Sequence, residues 1–395
     1  MSESLQAENI PSRTNGPPRM QQHAVRMALF MVGYSFSTWG ALIPFAKRRA
    51  GLDDGSLGLM LVAFGIGCTV VMPFAAALAA RFSCRSVIRC TATLACCMLP
   101  LLAWFDQPLF LAASLFGLGA SMGITEVVAN IQAVQVQREA GKPMMSGFHA
   151  FYSIGCILGA GFMTFLLSMS LTPFKAVFFS IALIMIAVVL FSGGLFGHDA
   201  ARREDKQPAF ALPHGIILWL GIFLLVIWMA EGSVSNWSAL FLVNFKAFPK
   251  ESGALGISVF SITIAVGRLV GDKLTAYVGS AERMIIYATI ASSSCYLLTI
   301  YALPGYYALV GYGLLGFCMA TIAPGLFTLT GKQKIMNEEL AISSVTAFGY
   351  GSALLSSPII GMVARHTSLA FSLSLLCLAI LGIALGVKLL FRTGK

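Results

Sequence analysis

Two carboxylates, Glu126 and Glu231, stand near the centres of long apolar runs, Leu109–Val136 and Gly215–Val243. An ionisable side chain in such a run is costly against hydrocarbon, so each acid needs a partner or a water-filled cavity. A carboxyl closed off from water takes up a proton, and one reopened to water on one side gives it up, which is the cycle a proton-coupled carrier requires. Asn130 lies one turn beyond Glu126 on the same helical face. Trp228, Ser235 and Ser238 fall three, four and seven residues from Glu231, and Asn236 beside them adds an amide. That face is acidic, hydroxylated and aromatic, so the hydroxyls of a solute would find hydrogen bonds while an apolar ring face stacks on indole. His149 and Tyr152, in a third apolar run, offer a proton relay or gate donor and a further solute contact. Each reading has a structural alternative: Glu126 as a permanently protonated interhelical hydrogen bond, Glu231 paired with Arg268 or a backbone group, His149 satisfied at a helix end. Trp39 and Trp237 form either an aromatic pair at the outer mouth of a cavity or two interfacial anchors.

The elements that must hold these residues are membrane-spanning helices. The 395 residues are 57% hydrophobic and 11% charged, with mean hydropathy +0.83, whereas about a quarter of a soluble chain is charged. Twelve runs are long enough to span: Val25–Phe45, Gly58–Ala80, Val87–Phe105, Leu109–Val136, Met145–Leu167, Phe174–Phe196, Gly215–Val243, Ala254–Val270, Met284–Leu303, Tyr306–Leu329, Ile342–Ala364 and Leu369–Leu390. The expectation is an all-α, polytopic membrane protein, which excludes most soluble-enzyme functions. With the amino terminus inside, the inner segments hold eighteen of the Lys and Arg residues and the outer loops seven, Lys47, Arg48 and Arg49 among the latter. The positive-inside rule then puts both termini in the cytoplasm and accounts for the net charge of +10 without nucleic acid. Nine scattered cysteines imply no disulfide framework, five scattered histidines no metal site, and no phosphate-binding loop or nucleophile motif is present. An ATP-driven pump and an intramembrane enzyme or sensor are therefore disfavoured, and no cofactor is expected.

Residues 1–24 read as a polar, disordered cytoplasmic tail and 197–214 as a cytoplasmic linker, leaving six spans in 25–196 and six in 215–395. A shift of 198 lays Ser37-Thr38-Trp39-Gly40-Ala41-Leu42 on Ser235-Asn236-Trp237-Ser238-Ala239-Leu240. A shift of 197 lays Ser146 on Ser343, Ala150-Phe151 on Ala347-Phe348 and Gly119 on Gly316. A near-constant offset over three pairs of spans marks a duplication, and parallel six-span repeats with a site at their interface are a transporter architecture. Glu126 falls on Ala323, so the duplication does not explain that acid. The glycines of Gly155–Gly161 and Gly311–Gly316 let helices approach closely and need no ligand.

In span count, central loop and repeat the chain resembles the major facilitator superfamily. That resemblance implies two pseudo-symmetric six-helix bundles around a cavity lined by spans one, four, seven and ten. The superfamily's gating signature Gly-x-x-x-Asp-Arg-x-Gly-Arg-Arg is reduced to AAALAARFSCR, with Ala76 and Ala80 in place of Gly and Asp and with Arg81 and Arg85 retained. Its second copy is better kept in Gly267-Arg268-Leu269-Val270-Gly271-Asp272-Lys273, where Arg268 and Asp272, one turn apart, would form a gate-assisting pair. Gly123-Ile124-Thr125-Glu126-Val127-Val128-Ala129-Asn130 is similar to the fourth span of fucose permeases, which implies a role for Glu126 and Asn130 in substrate and proton binding. No acid stands in Val25–Phe45, where fucose permeases carry an Asp. Ala230-Glu231-Gly232, Asn236-Trp237-Ser238 and MSGFHAFYSIG resemble bacterial inner-membrane permeases grouped with rhizopine transport proteins. Gly155-Cys156-Ile157-Leu158-Gly159 resembles a drug–proton antiporter motif without its Pro.

The functional expectation is proton-coupled uptake of a sugar, polyol or amino-sugar-like solute by a monomer in a bacterial inner membrane, partnered by solute, proton and bilayer. Proton-coupled efflux of amphipathic compounds is the alternative.

Overall fold

The structure is a computed structural model and describes residues 18–197, 212–249, 252–253, 255–302 and 304–392. Among the described residues, twelve helices are long and apolar enough to cross a membrane: α1 Arg19–Arg49, α2 Ser56–Phe82, α3 Cys84–Trp104, α4 Pro108–Ala140, α5 Met145–Ser168, α6 Pro173–Gly194, α7 Ile216–Phe245, α8 Leu255–Val278, α9 Ala281–Ala302, α10 Tyr307–Lys332, α11 Glu338–His366 and α12 Leu369–Phe391. Among the described residues there is no strand. The expected tail lies outside the described residues up to 17, and the expected linker between 198 and 211.

Helix ends follow capping rather than hydropathy. The first helix begins at Pro18, one residue before the span α1 and well before the apolar run at Val25, and Gln21 and Ala24 are already packed inside. The eighth runs past Val270 through Gly271-Asp272-Lys273 to Val278, just before Gly279, whose φ of 84° favours a residue without a side chain. Lys47, Arg48 and Arg49, expected in a loop, form the last turn of α1, where cations suit the helix C-terminus. Arg49 also donates to the carbonyls of Leu102 and Phe105 at 2.7 and 2.8 Å, fastening α1 to the end of α3. Within α2, Met72–Phe74 tightens to a 3-10 turn at Pro73, which cannot donate a backbone hydrogen bond.

The packing repeats with a period of six helices. In the first bundle α1 packs on α5, α2 on α4 and α3 on α6; in the second α7 packs on α11, α8 on α10 and α9 on α12. Glycine allows backbone contact in the first bundle: a Cβ on Gly33 would strike the carbonyl of Tyr152, and one on Gly155 the carbonyl of Phe30. The bundles meet through α5 on α8 and α2 on α11, with α4 and α10 behind. The α1 start and the α12 end lie on one side of the molecule, the terminal side. Polar bonds between the bundles lie at or below mid-depth on that side, among them Gln137 to Thr328 at 3.1 Å and Arg138 to Glu338.

Candidate functional site

A cavity of about 380 Å³ lies at mid-depth between the bundles. Phe36 of α1, Phe64 and Gly65 of α2, Met122 and Glu126 of α4, and His149 and Tyr152 of α5 form one wall. Trp228, Glu231, Gly232 and Asn236 of α7, Arg268 of α8, and Tyr350, Ser352, Ala353 and Ser356 of α11 form the other. The expected lining by spans one, four, seven and ten holds for three of them. Span ten contributes nothing, while α2, α5, α8 and α11, the helices that cross at the bundle interface, all contribute.

Glu126 is 5% exposed, and its carboxylate accepts a hydrogen bond from the Tyr350 hydroxyl on the opposite bundle. The Tyr350 ring meets Trp228 edge to face, with centroids 5.2 Å apart and planes at 87°. Trp228 in turn lies against Gly349, where a Cβ would come 2.5 Å from the indole, so the ring reaches the cavity only because α11 has no side chain there. One hydrogen bond and one ring contact thus run from the first bundle's acid into the second bundle's aromatic pair.

The second acid is held differently. Arg268 Nη2 lies 3.3 Å from Glu231 Oε1, and Nη1 donates to Ser153 Oγ of α5 at 2.9 Å. The pairing of Glu231 with Arg268, left open by spacing alone, is present, and it faces the cavity rather than lipid. The expected Arg268–Asp272 pair is not formed: Asp272 accepts the backbone N–H groups of Ser146 and Gly147 at 2.9 and 2.7 Å, at the start of α5. A carboxylate at a helix N-terminus answers both the unpaired amides and the helix dipole, and this outcompetes an intrahelical pair. Guanidinium and carboxylate one turn apart therefore serve two places, the cavity and the terminal-side seam.

The remaining expected residues divide. His149 lines the cavity, stacks on Phe327 of α10 with centroids 5.5 Å apart, and leaves Nε2 without a partner. Tyr152, Trp228 and Asn236 line the cavity, and Asn236 also donates to Ser357 Oγ at 2.9 Å. Asn130 does not reach it: the side chain is fully buried one turn toward the terminal side, with both amide atoms unbonded. Ser235 is exposed and donates to the Glu231 carbonyl, while Ser238 is buried, so the face expected around Glu231 splits. Trp39 is 2% exposed and Trp237 lies against Gly361, so neither is exposed in the way of an interfacial anchor and neither lines the cavity. Arg81 is exposed over the Phe82 ring, and Arg85 binds the carbonyls of Gly193 and Leu195. Both contacts stay inside the first bundle: that of Arg81 is within α2, and that of Arg85 ties α3 to the end of α6.

Tyr350 is the residue that pattern reading missed. Its signal was available: α11 carries Ser343, Ser344, Thr346, Ser352, Ser356 and Ser357 in an otherwise apolar stretch, a hydroxylated helix with a phenol at its centre. Phe36, Phe64 and Met122 gave no signal, since apolar residues in a span are expected at any position.

The family model of the Major Facilitator Superfamily matches residues 27–334. An uncharacterized MFS-type transporter of Yersinia pestis is 34% identical over 376 residues, 95% of this chain and 97% of that protein. Membrane protein MosC of Rhizobium meliloti is 25% identical over 364 residues, 91% of this chain and 88% of that protein. The fold is similar to that of FucP, the fucose:proton symporter of E. coli, with TM-score 0.72 at 14% identity over 93% of this chain and 98% of that one.

Proposed function

The chain belongs to the Major Facilitator Superfamily, and from that membership and the cavity chemistry we propose a secondary active transporter that takes up a small hydroxylated solute together with a proton. It works by alternating access: the six-helix units 25–196 and 215–395 rock about the cavity. One observation carries the proton reading. The cavity holds two carboxylates and one guanidinium, and the guanidinium contacts Glu231 while Glu126 is bonded to a phenol. Glu126 can therefore gain or lose a proton without breaking an ion pair, and its bond to Tyr350 spans the bundles, so its charge state bears on how they meet. Glu231 and His149 complete the set of titratable groups.

Trp228 and Tyr152 would stack a ring face, and Asn236, Ser352 and Ser356 would bond hydroxyls. Asn130 would meet solute after the terminal side opens. Arg85 braces the first bundle, while Arg268 and Asp272 of the second bridge to the first and would act at the gate. The similarity to FucP and the resemblance to rhizopine-type permeases support a sugar, polyol or amino-sugar-like solute. The bacterial relatives and the charge bias support placement in an inner membrane with cytoplasmic termini.

The test is Glu126→Gln in proteoliposomes with an imposed pH gradient, using a solute found by thermal-shift screening of sugars, polyols and amino sugars. Accumulation against a gradient is expected to be lost while counterflow exchange persists. Loss of both activities, or uptake that ignores the pH gradient, overturns the coupling role. Binding confined to amphipathic cations would support efflux instead.

A further inference from the structure

A second cavity, about 570 Å³, opens on the terminal side and is walled by both bundles. One wall is the end of α4 and the turn after it, with Arg138 and Lys142; the other is the end of α8, the turn to α9 and the end of α10, with Thr275, Ser280 and Lys332. No carboxylate lines it. Arg138 and Lys332 do have acid partners, Glu338 and Glu282, but each cationic side chain is 55% exposed and its acid lies outside the lining. Lys142 has no hydrogen-bond or ion-pair partner among the described residues. The two turns that shape the rim use glycines in the left-handed region, Gly141 at φ 63° and Gly279 at φ 84°, and a Cβ on either would meet nothing within 4 Å. The rim is thus open, and three cations with three hydroxylated side chains, Thr275, Ser280 and Thr328, line a space large enough for a small polyanion.

We propose that this cavity binds a phosphate-bearing anion and that the bound anion holds the terminal-side seam shut. Phosphate suits the lining because lysine and arginine give charge-assisted hydrogen bonds to its oxygens and hydroxyls complete the shell. The conformational effect follows from the walls. Arg138 and Lys142 belong to one bundle and Lys332 to the other, so the cations converge only while the bundles meet on this side. A ligand that binds one of two conformations shifts the equilibrium toward it by its differential affinity. Occupancy would therefore slow the step in which the carrier opens on the terminal side, whatever solute it carries. The phosphate belongs either to a soluble metabolite or to an anionic lipid headgroup, and the experiment separates them.

The probe is inorganic pyrophosphate added to the full-length purified protein, read by thermal unfolding and by hydrogen exchange. Pyrophosphate is expected to raise the midpoint and to slow exchange on both walls together, in 138–147 and in 275–283. Lys142→Gln, which removes the unpartnered cation and leaves both ion pairs intact, is expected to raise the half-effective concentration about tenfold, as loss of one charge-assisted contact implies. Lys142→Arg should restore most of the effect. Reconstitution in phosphatidylcholine with and without phosphatidylglycerol assigns the source: if the lipid is the ligand, phosphatidylglycerol alone slows exchange on both walls and Lys142→Gln relieves it. No response to pyrophosphate or phosphatidylglycerol, an equal response to sulfate at matched ionic strength, protection of one wall only, or an unchanged response in Lys142→Gln overturns the proposal. None of these readouts uses the transported solute, so failure of the uptake reading would be seen separately.

Discussion

The two terminal-side seams are related by the internal repeat and are closed by different chemistry. Where α5 meets α8, Asp272 accepts two backbone amides, those of Ser146 and Gly147. Where α11 meets α2, Ser343, the repeat mate of Ser146, donates its hydroxyl to the Met72 carbonyl at 2.6 Å, and the stretch Met72–Ala79 has no carboxylate. A carboxylate on amides at a helix N-terminus is charge-assisted and worth about twice a neutral hydrogen bond. The scaffold was duplicated and the latch was not, so one seam bears most of the polar closing energy and the other rests on packing.

Removing the stronger latch should have the largest effect. Asp272→Ala deletes two charge-assisted bonds of about 1.5–3 kcal/mol each, which predicts a shift toward the terminal-side-open state of about a hundredfold or more. Faster exchange of the first-turn amides of α5 would report it, with solute binding from the opposite side weakened in step. Exchange no faster than in the parent protein would show that packing, not the carboxylate, closes this seam. Gly147→Ala sharpens the comparison by leaving the charge in place. A Cβ there would come 2.6 Å from Asp272 Oδ2, so the carboxylate must move off one amide, with an effect of about tenfold on the same exchange rates. Ser343→Ala in the other seam removes one neutral bond of about 1 kcal/mol, and opening should rise by severalfold at most. An effect as large as that of Asp272→Ala would erase the asymmetry. The smallest change is expected from Arg85→Lys, because Arg85 binds only carbonyls of its own bundle and lies away from both seams. A modest loss of thermal stability without change in seam exchange is the predicted result.

Much of this molecule is legible without coordinates. Bilayer thickness and the backbone's need for internal hydrogen bonds leave little choice but twelve helices, and a fixed offset in the chain exposes the duplication. Glu126, Glu231, Trp228 and Arg268 are visible because polar groups in apolar runs are conspicuous. What stayed hidden was partnership. Arg268 and Asp272 satisfy the spacing rule for a helical pair, yet each finds better partners on other helices, Glu231 of α7 and Ser153 across the interface for one and the start of α5 for the other. Ser235 and Ser238 share a helical stripe with Glu231, but one is exposed and the other faces α8. Spacing tells which residues share a face, and only packing tells what that face meets.

The glycine crossings carry a consequence for how such a carrier could diversify. On α1 and α5, Gly33, Gly155 and Gly159 each sit against a backbone carbonyl, so any side chain there must push two main chains apart. On α7 and α11 the glycines Gly221, Gly232 and Gly349 face side chains, Phe348, Ser356 and Trp228, which can be exchanged for smaller or differently shaped ones. That second pair also carries Trp228, Glu231 and Tyr350 of the cavity. Random substitution should therefore be tolerated far better in the α7–α11 crossing than in the α1–α5 crossing, and new solute preferences should arise chiefly there, on a rigid frame that descendants inherit unchanged.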